Sequence, residues 1–156
     1  MTNSRWYKKG DALLSEIENT KADNGAVLWF LGQMGFVIKI NKTIIYIDAL
    51  LNDFDDGNGN GRIYEPPFYT TNGITADYFI CTHDHGDHLN LETLLPQSKA
   101  NGKTQFIVPA PACEILTKAG IEKDRIIGAK EGAVTALTFN EESIIELCPV
   151  ANVLFR

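Results

Sequence analysis

A mixed α/β fold is predicted, opening with a β-meander and continuing through strand–helix–strand crossovers. Three observations predict it. Short runs rich in Ile, Val, Phe and Trp recur between turn residues over 27–47. Beyond residue 78 such runs alternate with helical patterns. The 156 residues, 44% hydrophobic and 22% charged, have the balance of one globular domain with a core. A disordered chain would combine few apolar residues with high net charge. A bilayer-spanning helix needs about 20 apolar residues, far more than the runs at 26–31 or 43–47 supply.

Residues 4–20 place Trp6, Leu13, Leu14 and Ile17 at a loose helical spacing that ends near Asn19. A polar break follows at 21–25, so residues 1–25 read as an N-terminal helix and linker ahead of a domain over 26–156. Strands are predicted at 27–31, 36–40 and 44–47, separated by 32–35 and by Asn41-Lys42. The third stops at Asp48. Residues 52–72, rich in Asp, Gly, Asn and Pro, form a long loop in which Pro66-Pro67-Phe68-Tyr69 reads as a stiff exposed stretch. A short buried strand at 78–82 feeds the polar segment 83–88 and a helix over 89–95. Next come a strand at 105–108 and a helix at 111–119 that Gly120 caps. Strands at 125–127, 133–139 and 143–147 complete the pattern.

Fourteen Lys and Arg against twenty Asp and Glu give a net charge of −6. That balance argues mildly against nucleic acid or an anionic membrane as the main partner, since both reward clustered basic side chains. Cys81, Cys113 and Cys148 are odd in number and far apart, which suits a reducing cytoplasm rather than a disulfide framework. The start, Met1-Thr2-Asn3-Ser4-Arg5-Trp6, runs into mixed polar sequence without the apolar core of a secretory signal.

All three histidines of the chain fall within His83-Asp84-His85-Gly86-Asp87-His88. Residues two apart lie about 200° around a helix, so His83 and His85 converge on one ion only from an irregular loop. Gly86 gives that loop freedom to fold back, and Asp87-His88 presents a second ligand pair at the start of the next helix. Imidazoles with a carboxylate suit Zn²⁺, one ion or two, with Mn²⁺ or Fe²⁺ as alternatives. Asp84 sits where it could orient an imidazole from behind.

A second metal pattern lies upstream. Asp56, Asn58, Asn60, Gly61 and Ile63 match positions 1, 3, 5, 6 and 8 of a calcium loop. Pro67 stands where the bidentate acid belongs, and a solvated Gly/Asn loop is the competing reading of 56–63.

The His-x-His-x-Asp-His segment resembles the signature of the metallo-β-lactamase superfamily. The resemblance extends to Trp29-Phe30-Leu31-Gly32-Gln33-Met34-Gly35-Phe36 and to the strand-ending Ile45-Tyr46-Ile47-Asp48. Thr82-His83-Asp84-His85-Gly86-Asp87-His88-Leu89, Phe106-Ile107-Val108-Pro109, Ala119-Gly120-Ile121 and Arg125-Ile126-Ile127 are similar to the branch of L-ascorbate-6-phosphate lactonases and N-acylphosphatidylethanolamine phospholipase D-like hydrolases. The likeness covers most of 26–148. It implies an αββα sandwich, of which this chain carries the first half, truncated at its C-terminal side. It also implies that His83 and His85 hold a first metal and Asp87 and His88 a second. Asp87 handles a proton of the attacking water, and Asp48 organises the loop by hydrogen bonding. A metal-bound hydroxide would attack a lactone, amide or phosphoester in a small-molecule substrate.

The downstream His, bridging Asp and final His of the superfamily have no counterpart after His88, so this chain alone is expected to bind metal without turnover. Three accounts stand open: a truncated product or fragment, a half-domain completed by a second copy as a homo-oligomer, or a small variant with a rebuilt site that uses Cys148. A non-catalytic metal-binding or assembly module is the alternative to a hydrolase.

Overall fold

The first strand begins earlier than its apolar pattern indicates. In a computed structural model, which describes residues 6–59, 61–140 and 143–147, helix α1 (Asp11–Asn19) passes almost directly into β1 (Ala22–Gly32). The expected polar break at 21–25 is instead taken up by a register shift between Ala22 and Ala26, where β1 pairs with β2 (Gly35–Asn41). Such a bulge keeps the ladder while extra polar residues loop out.

β3 (Thr43–Ile47) completes the antiparallel meander. Three strands then add in parallel through crossovers: β4 (Tyr78–Ile80), α2 (Leu91–Ala100), β5 (Gln105–Pro109), α3 (Cys113–Lys118) and β6 (Ile126–Ala129). The six strands lie in chain order. A separate antiparallel hairpin follows, β7 (Thr135–Asn140) with β8 (Ser143–Leu147).

Strand alternation sends successive side chains to opposite faces. One face, with Leu31, Val37, Tyr46, Phe79, Phe106 and Val108, packs under Leu13, Leu14 and Ile17 of α1, Leu94 of α2 and Leu116 of α3. The other face, with Ile45, Ile80, Ile107 and Ala129, meets Leu137 of β7. Helices, sheet and hairpin thus stack in that order, a mixed α/β architecture. No helix among the described residues is long and apolar enough to cross a membrane.

Tyr46 stacks on Phe79 at 5.5 Å and meets Phe68 edge-on at 6.5 Å. Its hydroxyl is buried and has no hydrogen-bond partner among the described residues. A buried unsatisfied hydroxyl costs roughly 1–3 kcal/mol. Tyr46→Phe keeps the ring contacts and removes that cost, so urea unfolding should show a gain of about 1 kcal/mol.

Two other expectations are corrected. Pro66, Pro67 and Phe68 are buried, not exposed: Pro67 O accepts from Gly10 N at 2.7 Å, and Phe68 lies against Tyr46. Helix α2 starts two residues later than expected and continues through Pro96 to Ala100. Burial of Thr93, Leu94, Gln97 and Ser98 outweighs the bond that proline removes. The end of α3 follows the pattern as read. Ile121 N donates to Leu116 O, Gly120 N donates to Thr117 O, and Gly120 has φ +95°.

Candidate metal centre

The carboxyl ends of β3 and β4 lie side by side. Their register pairs Ile47 with Ile80, and Asp48 N donates to Ile80 O at 2.9 Å. Crevices outside such strand ends are where open α/β sheets take ligands. Asp48 has φ 44°, a left-handed conformation that aspartate tolerates better than most residues. Its buried carboxylate accepts from Thr82 N at Oδ1 (2.8 Å) and from Thr82 Oγ1 at Oδ2 (2.7 Å). Oδ2 also lies 3.0 Å from His88 Nδ1.

After Thr82 the chain bends tightly. The N–H groups of His88 and Leu89 both donate to His85 O, at 2.9 and 2.8 Å. Asn90 ties this bend to the helix behind it: Nδ2 donates to Gly86 O at 2.9 Å, and Oδ1 accepts from Thr93 N at 2.9 Å as the cap of α2. His88 therefore precedes the helix rather than opening it. Gly86 is not among the residues with positive φ. Its smallness serves packing instead, because a Cβ there would lie 3.2 Å from Cε2 of Phe54.

The bend brings one ligand atom from each of His83, His85 and Asp87 within 4.8 Å of one another, the only such group of His, Cys, Asp or Glu among the described residues. The His83 ring is 4.7 Å from that of His85 and 3.7 Å from that of His88. His88 is buried, with Nε2 3.7 Å from Asp87 Oδ2. Burial holds the His83 pKa below its ordinary value; His88 and His85 add to this, and Asp48 and Asp87 oppose it. A neutral imidazole is the form that ligates metal. Two imidazoles and a carboxylate, with a third imidazole adjoining, fit a divalent ion of the zinc type.

The other candidates lie elsewhere. Asp84 is exposed; the carboxylate behind an imidazole is that of Asp48. Asp56 Oδ1 accepts from Asn58 N at 2.8 Å in an Asx turn. The left-handed glycines of this loop are Gly57 and Gly59, not Gly61, where a calcium loop makes its sharp turn. Asn60 and Cys148 lie outside the described residues. Cys81 is buried beneath the site, and burial pushes its thiol far above the ordinary range. Sequence reasoning passed over the site roles of Thr82, Asn90 and Phe54. Asn90 carried a signal, a capping residue type directly before Leu91, two positions into the expected helix. Phe54, distant in sequence, carried none.

No family model matches the chain. Three uncharacterized mycobacterial proteins, Rv0906 and MT0929 of Mycobacterium tuberculosis and Mb0930 of Mycobacterium bovis, are each 28% identical to it over 105 residues. That stretch is 65% of this chain and 28% of theirs, so the chain spans well under half the length of the curated relatives it matches. Among solved structures, Igni18, a metallo hydrolase from Ignicoccus hospitalis, is 21% identical with a TM-score of 0.47, over 70% of this chain and 42% of that one. CmlA, a diiron β-hydroxylase from Streptomyces venezuelae, is 18% identical with a TM-score of 0.49, over 78% of this chain and 25% of that one. Likeness at this level decides neither family nor activity.

Proposed function

We propose that this chain carries the metal-binding segment of a metal-dependent hydrolase of the metallo-β-lactamase type, acting on a lactone, amide or phosphoester. The observation that supports this reading is the convergence of His83, His85 and Asp87 within 4.8 Å at the carboxyl ends of two parallel strands. A divalent ion bound there supplies a water that ionises near neutral pH and a charge that polarises the substrate oxygen. The chain's own residues do the rest. His83 and His85 ligate, and the lowered His83 pKa keeps its ring neutral and available at neutral pH. Asp87, with about a third of its side chain exposed, can ligate and hold a proton. His88 adjoins the carboxylate of Asp87 from the buried side, and Asp48 and Thr82 hold its ring in place.

Zinc is the ion proposed, and the lactonase-like branch is the affiliation favoured by the strings flanking the histidines. One observation favours a second reading. His83, His85 and Asp87 are the only such group of His, Cys, Asp or Glu among the described residues, a set for one ion, which also suits a metal-binding or assembly module without turnover. Elemental analysis of protein reconstituted with zinc, with the oligomeric mass measured on the same sample, tests the proposal. About one zinc per chain is expected. Metal-free protein from zinc-replete buffer would overturn both readings, while zinc retained without hydrolysis of lactone and phosphoester substrates would favour the second.

A further inference from the structure

We propose that Thr82 is a positioning residue: its hydroxyl relays the Asp48 carboxylate to His83, so that His83 and His88 both carry their proton on Nδ1 and leave Nε2 free. The argument is a balance of donors and acceptors. Thr82 Oγ1 lies 2.7 Å from Asp48 Oδ2, 3.2 Å from His83 Nδ1 and 3.3 Å from His88 Nδ1. A carboxylate only accepts, so the single hydroxyl proton of Thr82 is donated to Asp48. The threonine oxygen is then left with lone pairs alone, and whatever hydrogen-bonds to it must donate. His83 Nδ1 therefore bears the proton. His88 Nδ1 reaches Asp48 Oδ2 directly at 3.0 Å, and the same logic protonates it.

The nitrogen opposite each fixed N–H keeps its lone pair. One carboxylate thereby sets two rings, His88 by contact and His83 through an intervening hydroxyl. The alternative, a Thr82 proton pointed at His83, would leave two bare oxygens facing each other at 2.7 Å. The tautomers follow from these hydrogen bonds alone; their use in ligation rests on the metal-binding reading above.

The test is ¹⁵N NMR of the imidazoles in metal-free protein, at a pH above the imidazole range. The chain's three histidines make three ring patterns, and His85→Gln identifies one by its loss. Two rings, those of His83 and His88, are expected to show a protonated Nδ1 and a pyridine-like Nε2. In Thr82→Val, His83 should shift toward the other tautomer while His88 keeps its own; Thr82→Ser should restore His83. Zinc affinity should fall about tenfold in Thr82→Val, the range for lost outer partners of metal ligands, and stay near normal in Thr82→Ser. A proton on Nε2 of His83 in the unaltered protein overturns the proposal, as does an unchanged His83 in folded Thr82→Val. Should Thr82→Val fail to fold, the unaltered protein and Thr82→Ser decide. If the tautomers are as stated and zinc does not bind, the metal reading falls and the Thr82 relay stands.

Discussion

His85→Ala is expected to weaken zinc binding about 100-fold or more, because losing even an outer partner of a ligand costs about 10–100-fold and a ligand itself costs more. His85 is the cleanest member to remove. It is exposed, whereas His88 is buried on Asp48 and its loss would also disturb the loop. Calorimetric titration with zinc at neutral pH reads the effect. Asp84→Ala supplies the control: its side chain is exposed, and surface changes of that kind stay within about 0.5 kcal/mol, near twofold in affinity. Equal loss in both variants would mean that the measured zinc sits on surface carboxylates.

The same site carries a pH dependence whose sign follows from His83. Burial, then the neighbouring His88 and His85, lower its pKa from 6.5. Folded metal-free protein therefore binds fewer protons than the unfolded chain between that lowered value and 6.5. The His83 contribution to stability is fully present above 6.5 and is lost as pH falls through that window. Zinc affinity falls in the same direction, since protons compete for the imidazoles.

What could be read in advance was whatever is local in the chain. The candidate cluster was legible because His83, His85, Asp87 and His88 are nearly contiguous and only a loop lets residues two apart converge. The meander was legible because its turns fall between alternating apolar runs. Contacts made by distant segments were not. Asp48 meets Thr82 across 34 residues, and only the parallel pairing of β3 with β4 brings them together. Phe54 rests on Gly86 for a similar reason, and the glycine was credited with conformational freedom when it serves close packing. Pro66-Pro67-Phe68 looked exposed by composition, yet the rings of Tyr46 and Phe68 meet once the meander has formed. Helix α2 runs past the proline expected to end it because Thr93, Leu94, Gln97 and Ser98 are buried, and a cation supplied from outside the helix satisfies the carbonyls at its far end.

That cation is Arg125, and Arg125→Ala is expected to lower the unfolding free energy by about 3 kcal/mol. The buried guanidinium donates from Nε to Thr104 O at 3.0 Å, from Nη1 to Ser98 O at 3.0 Å and from Nη2 to Asn101 O at 2.8 Å. It also lies 5.3 Å over the Phe106 ring. Ser98 and Asn101 belong to the C-terminal turn of α2 and its cap, where carbonyls lack helical partners and positive charge is favoured. Alanine strands these carbonyls and opens a gap beside Phe106. Lysine should recover only part of the loss, because an ammonium cannot reproduce the fork. Glu122 is the control: it pairs with Nη1 at 3.0 Å from an exposed position, so Glu122→Gln should leave stability nearly unchanged. A loss below about 1 kcal/mol in Arg125→Ala would show that water takes over the carbonyls. The proposed ligands lie beyond the opposite end of α2, so zinc affinity should survive the change. Free zinc at about 100 times its Kd adds about 2.7 kcal/mol by mass action, which nearly offsets the Arg125 defect in a melting experiment. Absence of that rescue, with zinc affinity reduced, would mean that loosening the far end of α2 reaches back through Asn90 and Gly86 to the ligand loop.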